Sequence, residues 1–169
     1  VYIRINRGFD QVIYKSPEEC NFVWDKASVM NDGTDITVIA CGSCVFEAMQ
    51  AARIAASDGG LSVRVLNMHT IKPIDKEAVL SAISDTRRII TVEDHEVMGG
   101  LGSAVAEVVA SSGKACAFKM LGHQDAFSTI GLQEDLLAMA KIDANGIAET
   151  IQEMMHADFE ADDAWDDEF

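Results

Sequence analysis

From residue 36 onward the apolar positions alternate between two periods. "ITVIAC" (36–41) is a continuous β-branched run, the pattern of a strand buried on both faces. In "GSCVFEAMQAARIAASDGG" (42–60), Val45, Met49 and Ala52 recur at helical spacing and Gly59-Gly60 provides the stop. The alternation continues with a strand in "LSVRVLNM" (61–68). Next comes a helix in "KEAVLSAISDT" (76–86), with Asp75 as N-cap and Val79, Leu80 and Ile83 expected on one face. "RIITVED" (88–94) reads as a strand, "SAVAEVVASSG" (103–113) as a helix and "ACAFKMLG" (115–122) as a fourth strand. Two helical stretches, "LQEDLLAMA" (132–140) and "ANGIAETIQEMM" (144–155), close the pattern, the second with Asp143 or Asn145 as cap. Strands alternating with helices require crossovers, so the expected fold class is α/β: a mostly parallel sheet with helices on both faces.

The ends of the chain break this pattern. "VYIRINR" (1–7) alternates as a strand does, and the stretch after it holds turn residues and no sustained period, a connector with room for one short strand pair. The expected organisation is a remnant strand and connector over 1–33, a core domain over 34–156 and an acidic tail over 157–169. That tail, "ADFEADDAWDDEF", has seven acidic residues and no basic one. Its composition suits a disordered segment, and its aromatic–acidic pattern also fits a docking peptide.

Thirteen Lys and Arg against 28 Asp and Glu give a net charge of −15, which argues against nonspecific binding to nucleic acid or anionic membranes. No apolar run approaches the length of a membrane span, and the chain opens without a signal-peptide pattern. Its four cysteines include two in apolar, strand-like contexts, Cys41 and Cys116, and the expected compartment is a reducing cytoplasm. The chain does not open with Met and is expected to be part of a longer reading frame or protein.

Three stretches carry candidate chemistry. "EDHEVMGGLGSAVAEVV" passes from strand to helix through a glycine cluster, a common place for a phosphate. Aligned on Gly100 and Gly102, however, the dinucleotide fingerprint meets Val105 at its third position, and the following strand carries no acid for a ribose. The preferred reading is a tight turn whose glycines take backbone angles closed to other residues. "CGSC" (41–44) at a helix start could be a redox pair, yet small residues there equally suit a turn. His69, His95 and His123 follow strands on the edge where α/β folds place ligands, with Glu93, Asp94 and Glu96 nearby, but without metal-ligand spacing.

"VIACGSCVFEAMQAA", "VRVLNMHTIKPID", "IITVEDHEVMGGLGSAVAEVV" and "LGHQDAFSTIGLQEDLL", in this order, resemble the C-terminal domain of the transketolase family. The likeness is greatest to the C-terminal half of split bacterial and archaeal transketolases. It extends to 1-deoxy-xylulose-5-phosphate synthase and the β subunits of 2-oxo acid dehydrogenases. "VYIRINRG" resembles the last strand of the preceding pyrimidine-binding domain, which implies that Arg7 grips the phosphate of a sugar substrate. A guanidinium suits that role through its forked donors and permanent charge.

The resemblance further implies a complete enzyme that moves two-carbon ketol units between sugar phosphates with thiamine diphosphate and Mg²⁺. The missing diphosphate- and pyrimidine-binding domains or subunit would hold that cofactor. This chain would add packing and dimer interface, in a homodimer or heterotetramer, with no catalytic, cofactor or metal residue of its own. It would be inactive alone. A stand-alone interaction module, docking through the tail or a sheet edge, is the alternative of another class.

Overall fold

The computed structural model describes residues 1–3 and 11–157. Among these residues five strands form one sheet: β1 (Ser28–Asn31), β2 (Ile36–Ala40), β3 (Val63–Asn67), β4 (Arg88–Glu96) and β5 (Ala117–His123), in the spatial order β1-β3-β2-β4-β5. β2, β3, β4 and β5 run parallel, and β1 joins β3 antiparallel. Five α-helices accompany them: α1 (Cys44–Gly59), α2 (Lys76–Asp85), α3 (Leu101–Ser111), α4 (Gln133–Met139) and α5 (Ala144–His156). Each element expected from residue 36 onward is present, and the fold class is the expected α/β.

The central strand β2 is buried at all five positions, which explains its unbroken apolar run. Val38, Ala40, Ile90 and Val92 face α1 and α5, whereas Ile39, Leu66 and Ile89 face α2 and α3. Two apolar layers thus sandwich the sheet. Asp75 caps α2 by accepting from the Ala78 N–H at 3.1 Å, and Asp143, not Asn145, caps α5 through the Gly146 N–H at 3.1 Å. α1 runs through Gly59 and stops at Gly60, where φ is +65°.

Three details differ from the sequence reading. On α2 the buried positions are Val79, Ala82 and Ile83, while Leu80 is 37% exposed. Leu80 sits one residue past Val79, about 100° around the helix, and so turns off the stripe. Among the described residues the connector holds no local strand pair; its strand β1 pairs with β3 at the sheet edge. The Asn31 side-chain amide donates to the Val63 carbonyl at 2.7 Å, and the Ala27 N–H donates to Asp75 at 2.9 Å, fixing both ends of β1. Finally, Val1–Ile3, expected to open a strand, is exposed and carries no strand, and the rest of that segment lies outside the described residues.

Candidate functional site at the carboxyl edge of the sheet

The strand order places an opening between two connections. From β2 the chain crosses through α1 to β3 on one side, whereas β4 lies on the other side of β2. Connections leaving β2 and β4 therefore diverge, and open α/β sheets bind ligands at such a switch point. Here it is a crevice of about 330 Å³ lined by the 41–43 turn, Ile71, Glu93–His95 and Gly99–Gly100. The glycine turn and "CGSC" meet in it, together with His95 of the three candidate histidines.

The glycine turn holds an anion, and the anion is the protein's own. Glu93, 2% exposed near the end of β4, accepts the Leu101 N–H at 2.7 Å and the Gly102 N–H at 2.8 Å. These are first-turn donors of α3, the groups that would otherwise cradle a phosphate. The glycines serve three ends. Gly99 takes φ +81°, the angle expected of such a turn. Gly100 has φ −99°; it is required because a Cβ would run into the Glu93 carboxylate. At Gly102 a Cβ would press on Met120 and Thr91, so this glycine sets how closely α3 approaches the sheet. The preferred reading as a structural turn stands, although backbone freedom accounts for only one of its three glycines. The role of Glu93, named above only as an acid near the histidines, is not readable from the pattern alone; its sequence signal is an acid at a strand end just before a glycine cluster that leaves room for it.

At "CGSC", Cys44 opens α1 fully buried and Cys41 is half-buried after β2. Burial, reinforced by the nearby Glu93 and Asp94, pushes the Cys41 thiol up to about 12. Burial likewise raises Cys44, helped by Cys41 and Asp94. A redox pair needs the opposite, an accessible thiol with a depressed value. Both stay protonated at neutral pH and act as small apolar groups.

Each of the three histidines has its own partner. His69 bonds through Nδ1 to the Thr70 hydroxyl at 2.9 Å and lies against Phe22, ring centroids 4.5 Å apart. His95 is exposed and its Nδ1 meets the Glu96 carbonyl at 2.8 Å, with Glu93 beyond hydrogen-bond reach at 3.9 Å. His123 alone pairs with an acid, Asp94, its Nε2 2.9 Å from the carboxylate. Among the described residues no group of three or more His, Cys, Asp or Glu is placed to hold a metal ion. Glu93 and Asp94 on the crevice wall also oppose a diphosphate. The described residues thus do not fit a thiamine diphosphate–Mg²⁺ site. Arg7, the candidate phosphate ligand, lies outside the described residues.

Comparison with known proteins identifies the family of this fold. The family model described as transketolase, C-terminal domain, matches residues 25–147, and so takes in β1. A chain of Methanocaldococcus jannaschii described as a transketolase C-terminal section is 40% identical over 155 residues, which is 92% of this chain and 48% of that one. The 1-deoxy-D-xylulose-5-phosphate synthase of Halothermothrix orenii is 37% identical over 151 residues, 89% of this chain and 24% of that enzyme. A solved split-gene transketolase, an inactive β4 tetramer, superposes with a TM-score of 0.80 at 30% identity, covering 88% of this chain and 48% of that one. This chain therefore spans about half the length of the split relatives and a quarter of the synthase. By motif, by fold and by family match, the chain belongs to the transketolase C-terminal domain family.

Proposed function

We propose that this chain is the C-terminal domain of a transketolase-like enzyme that transfers two-carbon ketol units between sugar phosphates. The observation that supports it is the family match over residues 25–147, on a fold whose switch-point helix has two of its N-terminal donors taken by Glu93. In the complete enzyme thiamine diphosphate with Mg²⁺ would supply the carbanion chemistry, held by the diphosphate- and pyrimidine-binding domains or subunit. This chain's own part is to pack against that half, to contribute to a dimer or heterotetramer in the cytoplasm, and to bring Arg7 to the substrate phosphate. A guanidinium there binds the phosphate in ground and transition state alike, so its effect belongs mainly in KM.

Reconstitution tests the reading. The chain joined or co-expressed with a diphosphate- and pyrimidine-binding half should give ketol transfer, while the chain alone gives none and shows no heat of binding with thiamine diphosphate and Mg²⁺. Tight cofactor binding by the chain alone overturns it. Arg7→Ala in the reconstituted enzyme should lower kcat/KM for a phosphorylated sugar by roughly 10- to 100-fold, the loss of a charge-assisted hydrogen-bond pair. The 37% identity to a deoxyxylulose-phosphate synthase favours that activity as the second reading, and assaying both reactions on one preparation separates them.

A further inference from the structure

The far edge of the sheet is open. β5 pairs only with β4 among the described residues, so its other edge presents unpaired backbone groups. A groove of about 430 Å³ runs along it, and six consecutive residues, Lys119–Gln124, line one wall. Successive strand residues point to opposite faces, so a wall made of all six is the strand's edge. Phe127, Leu136, Met139 and Lys141 line the rest. Phe127 is fully exposed and Met139 is 69% exposed. In a chain of net charge −15, this groove gathers two cations. Lys119 makes no ion pair among the described residues, and Lys141 makes only an exposed one, 3.6 Å from Glu149.

The last turn of α5 delivers the chain to the foot of this groove. The Arg88 side chain donates to the Met154 carbonyl at 3.2 Å, and Arg88 is in register with Ala117, the first residue of β5. Ala117 packs in the same apolar layer as α5, and Lys119 lies two residues further on the same face, about 7 Å up the strand. Residues 158–169 follow directly. Extended, they could span roughly 40 Å, about twice the length of β5. They carry seven carboxylates, no cation, and Phe159, Trp165 and Phe169.

We propose that this C-terminal segment, residues 158–169, docks in the groove along the open edge of β5. Its carboxylates face Lys119 and Lys141, and its aromatic rings cover Phe127, Leu136 and Met139. The tether puts the segment at a local concentration on the order of millimolar, so a contact too weak for a free peptide suffices in the chain. The docked segment shields the sheet edge from pairing with other chains.

Trp165 is the probe. In the full chain with Trp24→Phe, an exposed position, Trp165 reports alone. Acrylamide should quench it about fivefold less than in a free peptide of residues 158–169, since a weak site saturates at millimolar tether concentration. The protection should not change with protein concentration. It should vanish in Lys119→Glu/Lys141→Glu, whose circular dichroism stays that of the parent, and fade as salt is raised. Quenching equal to that of the peptide overturns the proposal, as does protection that grows with protein concentration, which places the segment on a second copy, or protection that survives the double charge reversal.

Discussion

Glu93 does for α3 what a bound anion does elsewhere, and it ties the end of β4 to the helix that follows. Both of its hydrogen bonds are buried, so removing the acceptor leaves donors unsatisfied. Glu93→Gln should cost about 1–3 kcal/mol in urea unfolding, because one amide oxygen replaces two acceptors and the NH₂ group faces an N–H. Gly100→Ala should cost a similar amount, roughly 1–3 kcal/mol, by displacing that carboxylate. If Gly100→Ala were neutral, the tight packing at this turn would be wrong. The cysteines make a second prediction at this scale. Only Cys20 is exposed, and the other three have thiols raised by burial. Titration of the native protein with an aromatic disulfide should show one fast thiol, and all four only in denaturant. A second or third thiol reacting as fast would reopen a redox role for "CGSC".

Between elements, Asp75 anchors the end of the connector to α2. It accepts from Ala78 at the start of α2 and from Ala27 at the entry to β1, with Lys26 3.5 Å away. Burial works to raise its pKa, but the two backbone donors and the Lys26 charge outweigh it and hold the carboxyl below its usual value. A depressed folded-state value means stability that is fully present above the unfolded pKa of about 3.9 and lost as pH falls through the folded value. Asp75→Asn should therefore be less stable than wild type at neutral pH, and the gap should narrow below about pH 4. A constant gap from neutral to acid would show that the charge at Asp75 plays no part.

How much of this was legible depends on where each signal lies. Asp75, and Asp143 with Asn145 as its alternative, could be read as caps because capping is local, a side chain reaching two or three residues along its own chain. The buried strands could be read because β2 has no polar face to hide the pattern. β1 could not: it has four residues alternating half-buried and exposed, and hydrogen bonds to Val63 and Asp75 far along the chain decide its partner. The site was half legible. Gly99, Gly100 and Gly102 marked the turn, but Glu93 looked like one acid among three until the fold showed which one points inward.

Across the whole molecule, charge and exposed apolar surface are unevenly matched. The described residues contain few ion pairs, most of them exposed, so they offset little of the repulsion among 28 acidic residues. Raising NaCl from about 0.05 to about 0.5 M should raise the thermal midpoint, as screening relieves like-charge repulsion more than it weakens these pairs. A midpoint that falls with salt would mean specific ion pairs dominate. No described helix is long and apolar enough to cross a membrane. Phe22, Val23 and Trp24 on the connector and Ile130 and Leu132 beyond β5 nevertheless stand exposed. Such surface suits a chain that spans about half the length of its split relatives and, in the function proposed above, packs against the other half.

The buried carboxylate has a consequence for chemical rescue. Trimming Glu93 to Ala would leave two amide hydrogens aimed at a hollow the size of a small acid. Formate or acetate from solution should then restore stability to the variant, by about 1.4 kcal/mol at ten times its dissociation constant, and leave wild type unmoved. The same addition shifting both proteins equally would be a bulk salt effect. A strand-to-helix turn closed by its own carboxylate would become, by one truncation, a receptor for a loose anion.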